Sequence, residues 1–395
     1  MLPRPGVASR VHAALATSPI VTLIGPRQCG KTTLARGIAS ERRSQIIDLE
    51  DPSGRRRLAQ PMAALAPLRG LVVIDEVQLA PEVMPILRVL ADRRPLPARF
   101  LLLGSASPDL VRGTSETLAG RVAFVEMGGF DLSEVGPGAL RRLWLRGGLP
   151  RSYLARSDAA SRAWRDDFVT TFLERDLRRF GIEVAPEALR RLWSMVAHYH
   201  GQIWNASEVA RSIGIAHTTV QRHLDVLTGA LVVRQLRPWF ENLGKRLVKS
   251  PKIYVRDSGL LHALLGLSRF AELEGSPRLG ASWEGFAVEE IARLVGARDV
   301  YFWATQGGAE LDLLVLAGGK RWGIELKYAD APAVTKSMRV AMGDLGLERL
   351  FVVHPGKERY ALDARIDAVG VAELRSTLAA VGIGRQRKPR RRDDR

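Results

Sequence analysis

Eight consecutive residues, Gly25-Pro26-Arg27-Gln28-Cys29-Gly30-Lys31-Thr32, constrain this chain more than any other stretch. They fit the pattern G-x-x-x-x-G-K-[ST], a loop whose backbone N–H groups close around phosphate oxygens. Such a loop needs a buried strand before it and a helix after it, because the N–H groups at a helix start converge on an anion. Both flanks are present. Ile20-Val21-Thr22-Leu23-Ile24 reads as a short buried strand, and Thr33-Leu34-Ala35-Arg36-Gly37-Ile38-Ala39 reads as a helix. Gly25 and Gly30 admit backbone angles and a close approach that a side chain would obstruct. Lys31 is placed to reach the β- and γ-phosphates, and the Thr32 hydroxyl to ligate Mg²⁺. Gly25 through Thr33 is thus the expected nucleotide site.

A second element supports the first. Leu71-Val72-Val73-Ile74 is an apolar run ending in Asp75-Glu76. A carboxylate at the C-terminal edge of a strand can hold the water shell of Mg²⁺, which gives Asp75 that role and leaves Glu76 to polarise an attacking water. A third strand, Phe100-Leu101-Leu102-Leu103, runs into Gly104-Ser105-Ala106-Ser107. A hydroxyl there would read the γ-phosphate or orient the water, and Ser105 and Ser107 are both candidates.

The chain has 395 residues, enough for two or three cores, and no run of eighteen apolar residues that would span a membrane. Its first residues lack the apolar core of a signal peptide, so a cytoplasmic location is expected. The single cysteine, Cys29, excludes an intramolecular disulfide framework and a cysteine-rich zinc site. A formal net charge of +17 is the strongest compositional fact. Such an excess attracts polyanions, nucleic acid first, by counterion release.

Pro/Gly clusters mark the joints. Residues 1–135 read as the nucleotide-binding α/β unit and 136–185 as a mainly helical stretch. Residues 186–270 read as a winged helix-turn-helix, 271–383 as a last α/β unit, and 384–395 as a disordered basic tail. In the third segment Asn205 is a natural N-cap for a helix over 206–213, and Gly214 supplies a turn. His217 to Leu227 then forms a second helix with Val220, Leu224 and Leu227 inward. Its outer face offers Thr218, Thr219, Gln221 and Arg222 to phosphates and base edges. Leu231–Leu236 and Lys252–Arg256 read as wing strands, with Lys245, Arg246 and Lys249 between them as phosphate contacts.

The last unit carries a second chemical pattern. Ala309–Leu316 reads as a strand containing Asp312, and after a Gly318-Gly319-Lys320 turn comes Arg321-Trp322-Gly323-Ile324-Glu325-Leu326-Lys327. Glu325 and Lys327 are two apart, so they share a face of their strand. Glu284, on an upstream helix, adds a carboxylate. This resembles the PD-(D/E)xK nuclease core, although no proline precedes Asp312. That resemblance implies Asp312 and Glu325 as metal ligands, Lys327 as activator and Glu284 as accessory acid.

Taken in order, the landmarks resemble one family: the AAA-type ATPases carrying the C-terminal domain called DUF4143. They are the loop at Gly25-Pro26-Arg27-Gln28, Asp75-Glu76-Val77-Gln78, Leu103-Gly104-Ser105-Ala106-Ser107, Leu118-Ala119-Gly120-Arg121 and Gly147-Gly148-Leu149-Pro150. Phe172-Leu173-Glu174-Arg175-Asp176-Leu177 and Gly280-Ala281-Ser282-Trp283-Glu284 complete the series. Cys29 stands where the family usually has another small residue. The resemblance implies an α/β fold: a P-loop AAA-type ATPase core, then a winged helix-turn-helix and a restriction-endonuclease-like domain. Taken with the charge and the motifs, the expected cofactors are ATP and Mg²⁺, the expected arginine finger or sensor is Arg121, and the expected partners are DNA and further copies of the chain in a homo-oligomer such as a hexamer. Three readings follow: an ATPase acting on DNA with a metal-dependent nuclease-like domain, a translocase or junction-processing motor that does not cut, and a regulatory ATPase whose C-terminal half is a binding platform.

Overall fold

The computed structural model describes residues 2–105, 114, 116–172, 186–240 and 248–384. The strand expected before the phosphate loop runs Ile20–Gly25 (β1), and the helix after the loop runs Lys31–Ser40 (α2), with Pro5–Thr17 (α1) ahead of both. Ser44–Asp48 (β2), Gly70–Asp75 (β3), Ala98–Ser105 (β4) and Val122–Glu126 (β5) complete a sheet of order β2-β3-β4-β1-β5. Every pairing in it is parallel. Parallel strands are covered on both faces and so read as continuous apolar runs. That is how β1, β3 and β4 show in the sequence. The edge strands β2 and β5, SQIID and VAFVE, are only partly buried and carry polar residues, which hides them.

Parallel order has one consequence for function. The C-terminal ends of all five strands lie along a single edge, where Gly25 is in register with Ser105, and Asp48 with Asp75. The packing that fixes this edge is apolar: Ile20, Val72, Ile74, Phe100 and Leu102 are buried against Leu87 and Leu90 of the helix Val83–Ala91.

The chain falls into two compact units, residues 1–189 with 218–233, and residues 190–217 with 234–395. The division runs through the segment expected to be a winged helix. The helix Ala206–Ile213 belongs to the second unit, and the helix His217–Gly229, from Thr218 on, to the first. Gln202–Ile203 (β6), Val233–Leu236 (β7) and Lys252–Val255 (β8) form a sheet of order β6-β8-β7.

Six further strands build the main sheet of the second unit, in the order β13-β14-β12-β11-β10-β9. They are Val300–Ala304 (β9), Glu310–Ala317 (β10), Lys320–Leu326 (β11), Arg349–His354 (β12), Arg359–Asp363 (β13) and Ile366–Gly370 (β14). β10 and β11 are the expected antiparallel hairpin, and β11, β12 and β14 run parallel. The core beneath the sheet joins Trp303, Leu311, Leu314, Leu350, Val352 and Ile366 to Met338 and Ala341 of the helix Lys336–Asp344.

Ser107, Lys245, Arg246, the run Leu173–Leu177 and the tail from Arg385 onward lie outside the described residues, as does the Ser105 side chain. Among the described residues no helix is long and apolar enough to cross a membrane.

Candidate functional site

The loop between β1 and α2 is shaped by its neighbours as well as by its own glycines. A Cβ on Gly25 would lie 2.3 Å from the Met127 carbonyl oxygen, so only glycine fits there. Gly30 has room around it but takes φ +98°, the left-handed region that other residues resist. Pro150 borders the loop, its Cγ 3.8 Å from where a Gly30 Cβ would stand, which gives the Gly147-Gly148-Leu149-Pro150 landmark a place. Helix α2 starts at Lys31, and the first N–H groups of a helix have no intrahelical acceptor and point outward along its axis. The Lys31 ammonium is buried and donates to the carbonyls of Gly25 and Pro26, both at 3.1 Å. The Cys29 thiol is also buried and turned to the Met127 carbonyl at 3.5 Å, so it leaves the inside of the loop clear.

Thr32 and Asp75 are in direct contact. The Thr32 hydroxyl donates to Asp75 Oδ2 at 2.7 Å, and Asp75 Oδ1 accepts from the Glu76 N–H at 2.9 Å. Two hard oxygen donors side by side at the mouth of the loop suit Mg²⁺, which keeps several waters and takes few protein ligands. Glu76 sits in the left-handed region, φ 53° and ψ 45°, a conformation that costs a residue with a side chain of order 1–3 kcal/mol. Its carboxylate accepts from the Gln78 side chain. Burial raises the Glu76 carboxyl above its usual range, partly offset by the Gln78 hydrogen bond and the Lys31 charge.

Arg4 belongs to this site, though no local pattern marks it. Its guanidinium grips both carboxylate oxygens of Glu134, at 2.8 and 2.9 Å. It also donates to the carbonyls of Gly128, Gly129 and Cys29, at 2.9, 2.8 and 3.3 Å. One side chain thereby ties the phosphate loop to the segment after β5. Arg121 is placed differently. It forms a bidentate pair with Asp92 at 2.7 and 2.8 Å, and its carbonyl accepts from the N–H of Ile20. Ile20 starts β1 and Gly25 ends it, so Arg121 stands at the opposite edge, about 17 Å away at 3.3 Å per residue. The fold does not bring Arg121 to its own chain's loop.

In the 186–270 segment Asn205 caps its helix by accepting from the Glu208 N–H. The helix His217–Gly229 buries Val220, Leu224 and Leu227, and His223 with them. Thr218, Arg222 and Lys249 are exposed, Thr219 is half-buried, and Gln221 donates to Asp225 at 3.0 Å.

The second unit assembles the remaining acids. Leu313 pairs with Ile324, which sets Asp312 across from Glu325, and the β9–β10 register shifts between Leu311 and Leu314. Such a bulge re-aims the side chain it contains, here Asp312. Lys327 pairs with Glu325 at 2.7 Å, and Tyr254 donates to Glu284 at 2.6 Å. Burial, with Asp312 second, raises Glu284 and Glu325 each to about 7. What the sequence did not show is Lys252: expected as a residue of a wing strand, it is buried among these acids, close to Glu284, Glu310 and Asp312.

Comparison with known proteins finds three matched stretches along the chain. Residues 17–136 match the AAA domain family, 138–271 a domain of unknown function designated DUF8612, and 279–374 the domain of unknown function DUF4143. The uncharacterized proteins Rv2008c of Mycobacterium tuberculosis and Mb2031c of Mycobacterium bovis are each 51% identical over 377 residues, covering 95% of this chain and 86% of theirs. Among solved structures, the Walker-type ATPase of Pyrococcus abyssi superposes with a TM-score of 0.48 at 15% identity, over 67% of this chain and 96% of that one.

Proposed function

This chain belongs to the family of AAA-domain proteins that carry a C-terminal DUF4143 domain, and from that premise we propose that it is a Mg²⁺-dependent ATPase whose second half engages DNA. The observation that carries the first part is the Thr32–Asp75 contact at 2.7 Å, with Glu76 next in the chain and the Lys31 ammonium inside the loop. Thr32 and Asp75 are the residues to hold Mg²⁺, which when bound neutralises charge at the β- and γ-phosphates. Lys31 exchanges two carbonyls for phosphate oxygens, while the backbone N–H groups at the start of α2 take up the rest of the charge. Glu76, fixed by Gln78, orients a water and accepts its proton, and a carboxyl raised by burial is the better proton acceptor for that step.

Three observations favour DNA over a purely regulatory partner. The net charge is +17. Residues 186–255 follow the order helix, strand, helix, helix, strand, strand, with the last strand central in its sheet, as in a winged helix. Thr218, Arg222 and Lys249 are exposed on or beside those elements. The test is ATP turnover with and without single-stranded, duplex and branched DNA. Stimulation by one of these supports the reading. Turnover indifferent to all three, with no DNA binding at low salt, would leave the regulatory ATPase; no turnover at all would refute the ATPase itself.

A further inference from the structure

Lys252 begins β8, yet its side chain is only 3% exposed. Its Nζ lies 3.0 Å from Glu310 Oε1, 3.2 Å from Glu284 Oε1 and 3.6 Å from Asp312 Oδ1, and 5.8 Å from the centroid of the Phe302 ring. An ammonium carries three N–H donors and one compact charge, so it can serve three carboxylates at once.

A divalent ion in a PD-(D/E)xK arrangement asks for something else. Asp312 and Glu325 must turn free oxygens toward one point, since Mg²⁺ takes ligands at about 2.0–2.1 Å in near-octahedral geometry. Here three of those four oxygens are already engaged. Asp312 Oδ2 accepts from the Leu326 N–H at 2.9 Å, and Oδ1 faces Lys252. Glu284 Oε1 is shared by Lys252 and Tyr254, and Glu325 Oε1 by Lys327. Glu325 Oε2 is buried without a partner, but one free oxygen is one ligand of six. Among the described residues no three His, Cys, Asp or Glu side chains converge as a metal-holding group.

We propose that Lys252 is a built-in replacement for the metal ion: its ammonium holds the place among Glu284, Glu310 and Asp312, and the nuclease-like fold is a metal-free platform that does not cut DNA. An incoming divalent ion would meet the Lys252 charge at close range, and Lys252 would have to leave a site where it is buried and paired. The same contacts tie β8, β10 and the helix Leu279–Val295 together within the second unit. This inference does not depend on ATP turnover.

The experiment is Mn²⁺ binding, read by electron paramagnetic resonance on the nucleotide-free full-length chain with Asp75→Asn to silence the phosphate-loop site. With Lys252 present, no stoichiometric Mn²⁺ is expected. Lys252→Met in that background should gain one bound Mn²⁺, and adding Asp312→Asn should remove it. A bound Mn²⁺ in the Lys252-containing chain that Asp312→Asn abolishes would overturn the proposal, as would a folded Lys252→Met protein that binds none. If Lys252→Met fails to fold, the Lys252-containing arm decides alone. Strand cleavage by the unsubstituted chain that disappears in Asp312→Asn would also overturn it.

Discussion

Replacing Arg4 with Met should destabilise the first unit by about 3–5 kcal/mol, the cost of removing one partner from a buried ion pair. The structure supports a value in that range. The side chains of Arg4 and Glu134 are 8% and 5% exposed, so solvent screens their interaction little. Five hydrogen bonds go with the guanidinium, two to the carboxylate and three to backbone carbonyls. Glu134 keeps the N–H of Asp131 at 3.1 Å and the nearby charge of Arg10, which favours the lower half of the range. Glu134→Gln alone should cost less, because Arg4 retains its three carbonyls. The double mutant should then be less destabilised than the sum of the singles, by about 1–3 kcal/mol of coupling. Urea unfolding of all four proteins measures the cycle. Arg4→Lys provides a second readout, since a single ammonium cannot span the contacts that a planar fork makes. It should keep part of the stability yet release the Cys29 carbonyl, and bind ATP about threefold to tenfold more weakly, a change of roughly 0.7–1.4 kcal/mol. An Arg4→Met cost below about 1 kcal/mol, or strictly additive singles, would refute the reasoning.

Lys31→Ala should abolish tight ATP binding, and equilibrium binding of a fluorescent nucleotide tests it directly. Glu76→Gln should bind ATP normally but turn it over at least about a hundredfold more slowly, as expected for loss of a general base; a wild-type rate would remove Glu76 from that role. Burial, with Asp312 second, raises Glu325 to about 7 from an ordinary 4.5, so the folded chain holds this proton more tightly than the unfolded one. The resulting stabilisation is complete below about 4.5 and is lost as pH rises through about 7. Glu325→Gln should flatten that part of the stability–pH curve, and an unchanged slope would contradict the placement. DNA affinity should fall about a thousandfold or more between 50 and 200 mM salt if six or more phosphates are neutralised, with Lys249→Ala making the slope shallower.

The nucleotide edge was legible in the sequence because its rules are local. A buried strand, a glycine-bounded loop and a helix start are contiguous in Ile20–Ser40. An apolar run ending in acids marks β3 wherever its neighbours lie. The hairpin carrying Asp312 and Glu325 was legible for the same reason, since two short strands and a Gly-Gly turn set their own register. Strands β2 and β5 were not, because a half-exposed edge strand lacks the apolar run of a central one.

Tertiary structure decided the partners of the buried charges. Arg4 finds Glu134 across 130 residues, and Lys252 finds Glu284 and Glu310 across 32 and 58. Sequence pattern assigned Lys252 to a wing strand and the acids to a metal, and each assignment is reasonable on its own element. Only the fold sets the ammonium between the carboxylates. A charge removed from water takes whichever opposite charge the packing brings within reach, and that choice has no local period from which it can be read.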